Sequence, residues 1–357
     1  MSHPAYPIPA RLNLSIAALL LLVLSSILWA AGQVHHWGWV ALLSLAYGIA
    51  MNTGYAILHE AEHNLFHPNR KVNQTAGALL ALFFPAPFHL LRQGHIGHHI
   101  RNRSDDDAFD LYFDGENRLW KCAQLYGTLT GMFWALIFAT NFVVIFRPSI
   151  MAPRYSRYNR PTDAFLESLN PKYERLIQLE ALTAVALHAA MIYFWKIPML
   201  NYLAVMFGFG LLWSAMQYAH HYGTVRDVQK GAMNLTTFRL LDLIWLNHNW
   251  HLNHHMRPTV PWIYLPSLSG GPEERGSLLR AYLNEWQGPQ FSNERVENHY
   301  AGKVIQERRP RPRPGAQSIS ALSGVLVSIW LCGGTDEEAG FETNAGPSAG
   351  GLPHRSR

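Results

Sequence analysis

Residues 38–63 read GWVALLSLAYGIAMNTGYAILHEAEH, and this stretch decides the fold. Residues 38–58 form an uncharged run that is long enough to cross a membrane, which takes roughly 20 apolar residues as a helix. The run ends directly at His59, and His63 follows four residues later. Because residues four apart share one face of a helix, we expect both imidazoles to point the same way where the helix leaves the bilayer.

His59 and His63 form the first of three histidine boxes. Two further boxes follow along the chain. They read HIGHH over residues 95–99 and HLNHH over residues 251–255, and a separate pair, His220 and His221, follows a long apolar run. Neutral imidazole binds iron, copper and zinc, and one mononuclear site could not use all the histidines of the boxes. The sequence therefore predicts two metal ions. The box histidines are His59, His63, His95, His98, His99, His251, His254 and His255. Because positions three and four apart share one face of a helix, we expect the imidazoles of each box to point at one spot.

Three other uncharged or nearly uncharged runs have spanning length, at residues 12–31, 176–195 and 199–219. With residues 38–58 they predict an all-α integral membrane protein with four transmembrane helices in two hairpins. The loops inside the hairpins carry little positive charge, which places them outside the cell and the boxes in a helical cap on the cytoplasmic side.

Two more apolar segments are not expected to cross. Residues 76–91 are short and interrupted by Pro85 and Pro87, which favours a re-entrant or interfacial segment. Residues 125–146 are long enough to cross, but the basic residues that follow belong in the cytoplasm. We expect both segments to lie on, or dip into, the cytoplasmic face.

Composition limits the other classes of protein. The chain is 49% hydrophobic and has a formal net charge of +5, with the basic residues beside the apolar runs, which points to a membrane surface or an acidic redox partner and not to nucleic acid. Its only cysteines, Cys122 and Cys332, exclude a disulfide framework and a thiolate metal site. We expect a domain over residues 1–305 and a disordered basic, proline-rich and low-complexity tail over residues 306–357.

The residues of the boxes leave two readings open at this point. The first box fits the zinc-protease pattern His-Glu-x-x-His, which would make Glu60 a general base in an intramembrane zinc protease but leaves the other boxes unexplained. A metal carrier would also use histidines. Carriers place polar ligands inside helices near the bilayer midplane, whereas these boxes lie at helix ends.

The order and spacing of the three boxes resemble the membrane fatty acid desaturase and hydroxylase superfamily over approximately residues 12–270. Residues 248–266, HNWHLNHHMRPTVPWIYLP, are similar to fatty acid desaturases. The similarity includes Pro261 and Trp262, which we call the Pro-Trp tail. Glu60 departs from the Asp that acyl desaturases commonly carry there and is more like the membrane alkane hydroxylases. Residues 217–223 also resemble the segment that gives those hydroxylases a ninth histidine ligand, here His221.

The resemblance implies a non-haem diiron centre that uses two Fe²⁺ ions and O₂ as co-substrate. It implies nine ligands: His59, His63, His95, His98, His99, His221, His251, His254 and His255. Carboxylates and other polar groups commonly orient such ligands through the free ring nitrogen. For this supporting role we expect Glu60, His67, Asp106, Asp107, Asp110, His220, His248 and Asn253, although the three aspartates could equally form a solvated acidic loop.

The resemblance further implies oxidation of a fatty acid or fatty acyl chain in a membrane, with desaturation as the leading reaction. Hydroxylation of the chain and oxidative decarboxylation of a free fatty acid to a terminal alkene are the alternatives. We expect a bacterial inner-membrane enzyme with its active site facing the cytoplasm.

Electrons are expected to come from a separate ferredoxin or rubredoxin with its reductase. The chain has no His-Pro-Gly-Gly haem signature, no cysteine cluster and no Gly-x-Gly-x-x-Gly turn. Basic residues around Arg92, Arg101 and Arg103 and over residues 147–175 are expected either to dock this donor or to contact phospholipid head groups.

Overall fold

The computed structural model describes residues 6–146, 160–269 and 275–305, and this part of the chain is mostly helical. The strands are two residues long and form two parallel pairs, β1 (Leu111–Tyr112) with β4 (Gln290–Phe291) and β2 (Leu235–Thr236) with β3 (Gly276–Ser277). The helices are α1 (Ala10–Ala31), α2 (Trp37–Glu62), α3 (Arg70–Phe83), α4 (Phe88–Arg101), α5 (Arg118–Leu129), α6 (Met132–Phe146), α7 (Arg160–Ser168), α8 (Glu174–Phe194), α9 (Met199–Met216), α10 (Arg239–Ile244), α11 (His251–Met256) and α12 (Leu278–Glu285).

Four helices are long and apolar enough to cross a membrane: α1, α2, α9, and α8 together with the 3₁₀ turn before it. They coincide with the four predicted spans, so the prediction of four apolar spanning helices is confirmed. Large apolar side chains such as Leu19, Leu22 and Leu200 are more than half exposed on them, as lipid-facing positions would be. The pairing into hairpins and the orientation across the membrane stay predictions.

The end of the fourth span differs from the prediction. We expected the helix to run to residue 219, but α9 ends at Met216 and the chain turns before His220 and His221. The Tyr218 hydroxyl donates to Asp110, and Gly223 donates its backbone N–H to the same carboxylate while adopting a φ of +69°. These bonds stabilise a turn in place of another helical turn, because a positive φ suits glycine and does not continue a helix.

The two segments that were not expected to cross each form a sharply bent helix pair. Helices α3 and α4 meet at 100°, and α5 and α6 meet at 89°. At the first bend, Trp134 donates its indole N–H to the carbonyl of Phe84, and Asn141 donates to that of Pro85. Side-chain N–H groups therefore satisfy the backbone carbonyls at this bend, as an irregular segment between apolar helices requires. A pair bent in this way is a broken span or a re-entrant segment.

Helices α2 and α9 pack closely along each other, and both run toward the histidine boxes. Gly208 of α9 lies against Ser44 of α2, whose hydroxyl donates to the carbonyl of Ala204 at 2.8 Å. Tyr47, Phe209 and other buried apolar side chains fill the space between the spans. The ends of α2, α4 and α9 and the short α11 thus meet at one end of the helix bundle.

Residues 306–357 lie outside the described residues, so the disordered tail stays a prediction. The same holds for Cys332 and for residues 147–159 of the basic segment.

Candidate metal centre

The nine predicted ligands lie together in two groups. The five-histidine cluster consists of His59, His63, His95, His99 and His254, and the four-histidine cluster consists of His98, His221, His251 and His255. In each cluster one nitrogen of every imidazole lies within 4.8 Å of the corresponding nitrogens of the others. The structure therefore brings all nine histidines to two sites, each able to hold a metal ion.

Helix geometry explains how the boxes divide between the clusters. Residues four apart on a helix lie about 40° apart around its axis, whereas neighbouring residues lie about 100° apart. In α4, His95 and His99 therefore point to the five-histidine cluster, and His98 points to the four-histidine cluster. In α11 the assignment is reversed, since His251 and His255 belong to the four-histidine cluster and His254 to the other. Each box after the first thus serves both clusters, which corrects our expectation that a box points at a single spot.

Distances between ring nitrogens fit metal ligands better than hydrogen bonds. His95 Nε2 lies 2.7 Å from His63 Nε2 and 3.0 Å from His99 Nε2, and His254 Nε2 lies 2.9 Å from His99 Nε2. One imidazole nitrogen either donates one hydrogen bond or accepts one, so His95 Nε2 cannot be satisfied by both neighbours. Two imidazoles at right angles on an ion, with bonds of about 2.1 Å, would have nitrogens about 3.0 Å apart. The donor set therefore fits a metal ion.

The four-histidine cluster has the same close approach. His251 Nε2 lies 3.1 Å from His221 Nε2 and 3.2 Å from His255 Nε2. Burial lowers the pKa of all three imidazoles well below the ordinary value, and neighbouring imidazoles lower it further. These histidines are consequently neutral at physiological pH, the form in which imidazole binds metal ions.

Polar groups bond to the Nδ1 atoms of two of the predicted ligands. His98 Nδ1 lies 2.6 Å from Asp107 Oδ2, a distance at which the ring N–H donates to the carboxylate. His221 Nδ1 donates to the backbone carbonyl of Gly231 at 2.8 Å. These bonds leave Nε2 of each ring for the metal and fix its orientation. Asp107 is therefore in the predicted supporting position, whereas no sequence signal marks a backbone carbonyl such as that of Gly231.

The other two aspartates do not contact an imidazole by a hydrogen bond. Asp106 accepts hydrogen bonds from Arg160 and Asn298, near the surface. Asp110 is buried and accepts from Arg103, Tyr218 and the backbone of Gly223. Asp110 thus stabilises the turn that carries His221. It positions the backbone of this turn and does not bond to the imidazole itself.

Glu60 is turned toward the segment after the third box. Its Oε2 accepts the backbone N–H of Trp262 at 3.1 Å, and Trp262 in turn donates its indole N–H to Asn13. The Glu60 carboxylate lies 4.0 Å from His59 Nδ1. Glu60 thus joins the first box to the Pro-Trp tail of the third.

The remaining predicted supporting residues fall into different places. His248 packs between the clusters, with its ring centroid 5.3 Å from those of both His59 and His251. His220 lies outside the clusters and bonds to Asn249. Asn253 bonds to Asn234, Ser269 and the carbonyl of Leu265, so it anchors α11 and does not bond to a ring.

His67 lies away from the metal centre. Its Nδ1 accepts the backbone N–H of Asn69 at 2.9 Å, where Asn69 caps the start of α3. The helix α2 has ended before this residue, so the four-residue spacing from His63 no longer places the ring on the same face. The one side-chain bond described for His67 is therefore to the start of α3 and not to a predicted ligand, and its supporting role stays a prediction.

The arginines expected to form a docking face are buried. Arg92, Arg101 and Arg103 are 2%, 6% and 1% exposed. Arg92 donates to the backbone carbonyl of Glu62, and Arg103 pairs with Asp110. These arginines therefore organise the interior around the metal centre and cannot receive a redox partner, because a buried guanidinium presents no charge to solvent. Of the other predicted basic segment, Lys172 and Arg175 are exposed.

Comparison with known proteins agrees with the geometry. No curated protein matches the chain. The model of the fatty acid desaturase family matches residues 35–289, which is well over half of the chain and includes all nine histidines. With four apolar helices and two histidine clusters of metal-binding character, the chain therefore belongs to the fatty acid desaturase family.

Proposed function

We propose that the protein is a membrane-bound, oxygen-dependent diiron oxidoreductase that desaturates a fatty acid or fatty acyl chain. The observation that carries this proposal is the presence of two adjacent clusters made only of histidine, in a chain of the fatty acid desaturase family. A zinc protease needs one ion and a free Glu60, whereas Glu60 is bonded to Trp262 and the second cluster would have no role.

Two iron ions, when bound, would supply the oxygen chemistry that removes hydrogen from an unactivated methylene. The protein contributes the positions of the ligands. Asp107 orients His98, and the carbonyl of Gly231 orients His221. Rigid placement of this kind favours one reacting carbon over its neighbours.

Hydroxylation is the second candidate, and a specific observation favours it. His221 resembles the ninth histidine of the membrane hydroxylases, and its ring nitrogen lies among the ligand atoms of the four-histidine cluster. Both reactions begin with hydrogen abstraction and differ in whether the substrate loses a second hydrogen or gains oxygen. The substrate would enter from the lipid, and the electrons would come from a ferredoxin or rubredoxin with its reductase, on the cytoplasmic side of a bacterial inner membrane.

Metal analysis of three purified variants tests the centre. His254→Ala removes a ligand from the five-histidine cluster, His98→Ala removes one from the four-histidine cluster, and His299→Ala changes an exposed histidine as the control. We expect about two irons per chain in the parent and the control, and clearly less iron and no turnover in each cluster variant. Stoichiometric zinc without iron, or unchanged iron in both cluster variants, would contradict the proposal.

Product analysis separates the reactions. Cells that express the protein are compared with cells that express His254→Ala, and lipids and headspace gas are analysed by mass spectrometry. A new double bond supports desaturation, a new hydroxyl supports hydroxylation, and a terminal alkene one carbon shorter would identify decarboxylation. The absence of any such product from every fatty substrate, with iron bound, would reject the proposed function.

A further inference from the structure

Helix α12 carries an exposed apolar face outside the four spanning helices. Leu279 and Leu283 are more than half exposed, and Trp286, directly after the helix, is nearly half exposed. At 100° per residue, these three positions lie within an arc of about 60° around the helix axis. We call them the apolar stripe of α12. Contiguous apolar side chains of this kind mark a surface that contacts another protein or a membrane.

The other two faces of α12 differ from the apolar stripe. Leu278, Ala281 and Glu285 are buried against the protein. Arg280 and Asn284 are exposed and polar. Around the axis, the buried, apolar and polar faces follow one another. A helix that lies in a membrane interface beside its own protein needs this order, because one face contacts protein, the next lipid and the third water.

The buried face places α12 where a span ends. Leu278 and Ala281 form one buried cluster with Ala219, and Met216 packs against the same cluster. Met216 is the last residue of the spanning helix α9, and Ala219 follows three residues later. The buried face of α12 therefore packs against the chain at the point where it leaves α9.

The contacts of Trp286 indicate the same level. Its ring stacks on that of Tyr126 in α5, with the centroids 5.8 Å apart, and the Tyr126 hydroxyl donates to the backbone carbonyl of Trp286. Two residues later in α5, the carbonyl of Thr128 accepts a hydrogen bond from the Ser214 hydroxyl at 2.6 Å. Ser214 lies in the last turn of α9. Both ends of α12 are thus tied to the end of the same span.

A second exposed apolar segment lies beside α12. Strands β2 and β3 are parallel, so α10 and α12, which follow them, leave the strand pair at the same end. Phe238, Leu240 and Leu243, in and just before α10, are all more than half exposed. Trp245, directly after α10, packs against the cluster that contains Leu278. The exposed apolar surface at this level is therefore wider than one helix.

The chemistry of this surface fits lipid. Tryptophan is enriched where membrane meets water, and exposed arginines such as Arg239 and Arg280 attract lipid phosphates. A bilayer around α9 would already extend to the level of α12, because this helix packs at the end of that span. Lipid would thus cover the apolar stripe without any further partner.

We propose that the apolar stripe of α12, formed by Leu279, Leu283 and Trp286, is embedded in the interface of the bilayer leaflet in which α9 ends. The partner of this surface is a lipid membrane. The inference goes beyond the proposed oxidation and does not depend on it.

This contact would connect the membrane surface to the third box. Gly276, two residues before α12, donates its backbone N–H to the carbonyl of Asn234. The Asn234 side chain donates to that of Asn253 in α11, between the histidines of the third box. An embedded α12 would therefore fix the height of the third box relative to the lipid.

Fluorescent labels on α12 test the inference. The full-length, metal-loaded protein is prepared with its two native cysteines replaced by serine, and one new cysteine is labelled with the fluorophore NBD in each of Leu279→Cys, Leu283→Cys and Asn284→Cys. Asn284 is the matched control, because it is also exposed but belongs to the polar face. The labelled proteins are placed in nanodiscs of phosphatidylcholine and phosphatidylglycerol, whose two faces are both open to solvent.

Two quenchers distinguish lipid from water. Lipids that carry a nitroxide on the acyl chain quench the label from the membrane, and iodide quenches it from water. We expect lipid quenching at Leu279→Cys and Leu283→Cys to exceed that at Asn284→Cys by about threefold or more, and iodide quenching to show the reverse order. Leu203→Cys, at an exposed position of α9, provides the lipid quenching of a spanning surface.

Two results would overturn the inference. Equal iodide quenching at all three α12 positions, with little quenching by lipid, would mean that the apolar stripe faces water. Protection of Leu283→Cys from both quenchers would mean that protein, such as a second copy of this chain, covers the stripe. If the labels are quenched by lipid but no fatty substrate is oxidised, the proposed function fails and the membrane contact of α12 stands.

Discussion

Asp107 lies in the acidic segment after the second box, and its carboxylate accepts a hydrogen bond from His98. Replacing it by Asn removes the negative charge beside His98 Nδ1 with little change in shape. We expect turnover or iron affinity to fall by about 10- to 100-fold, because such carboxylates fix the ring and raise its basicity. Steady-state rates and iron content of the purified variant measure this.

Asp106→Asn is the matched control for that substitution. Asp106 is the neighbouring acid, and it bonds to Arg160 and Asn298 and not to a ring. Its substitution should leave rate and iron content near those of the parent. Equal losses in both variants would mean that the acidic segment acts as a whole and not through the His98 bond.

Glu285 predicts a dependence of stability on pH. It is completely buried in α12, its carboxylate oxygens make no hydrogen bond within the described residues, and desolvation raises its pKa to about 8. Between the ordinary value of 4.5 and about 8, the folded protein holds a proton that the unfolded chain has lost. Stability should therefore fall as pH rises through this window, since the folded state binds more protons.

Glu285→Gln removes the titrating group and keeps the volume. Thermal unfolding from about pH 5 to 8.5 should show a smaller fall for this variant than for the parent, with the difference growing toward high pH. Glu294→Gln, at an exposed glutamate, should follow the parent curve. Parallel curves for the parent and Glu285→Gln would show that Glu285 ionises in the folded protein as in the unfolded chain.

The sequence readily predicted which histidines belong to the candidate metal centre. It did not predict which of the two clusters each histidine joins. The spacing of the boxes marked His59, His95 and His251 as ligands, because few other patterns place so many imidazoles at helix ends. Adjacent histidines such as His98 and His99 could have been assigned to separate ions, since about 100° separates neighbours on a helix. The role of Asp110 depends on Tyr218 and Gly223, more than 100 residues later in the chain, and was not readable from its neighbours.

At the scale of elements, the contact between α2 and α9 positions both the first box and His221. A methyl group at Gly208 would press on the backbone oxygen of Ser44 at 3.1 Å as well as on its side chain. We expect Gly208→Ala to lower the unfolding midpoint and to reduce iron content, with a cost of about 1–3 kcal/mol from overpacking. Thermal unfolding and metal analysis of the purified variant measure both effects.

Gly127→Ala in α5 is the control for helix substitution. A methyl group there would meet Met132 at ordinary contact distances of 3.4 and 3.6 Å. This variant should be at least as stable as the parent, because alanine favours helix over glycine. If Gly208→Ala were equally harmless, the α2 and α9 contact would be looser than the structure indicates.

The apolar runs predicted the spanning helices well but their ends poorly. Length and hydropathy identify a helix such as α9, whereas its end depends on bonds from Asp110, more than 100 residues earlier in the chain. The bend between α3 and α4 was marked by Pro85 and Pro87. The bend between α5 and α6 has only Gly131, at a φ of +92°, as its local signal.

At the scale of the whole molecule, we expect the proposed oxidation to need an outside source of electrons. No haem, iron–sulfur or dinucleotide motif occurs in its 357 residues. We expect purified protein to be inactive with NAD(P)H alone and active once a ferredoxin and its reductase are added. The rate should fall with added salt if the encounter is electrostatic, and Lys172 and Arg175 are exposed cations that could take part.

Oxygen uptake and product formation, followed with and without the carrier, measure this requirement. A reductase without ferredoxin is the control. Full turnover on NAD(P)H without any carrier would mean that the chain holds a redox group that its motifs do not reveal. A rate that is insensitive to salt would leave the need for a carrier intact and remove the electrostatic part of the argument.

The crossed assignment of the boxes in α4 and α11 has a consequence for loading. Both helices give histidines to both clusters, so the clusters are not independent sites. An ion that fixes His254 also fixes the helix that presents His251 and His255 to the second ion. If metal binding orders α11, that ordering entropy is lost once for both ions, and we therefore expect the two binding events to be positively cooperative. The protein should pass from empty to doubly loaded with little of the singly loaded species between.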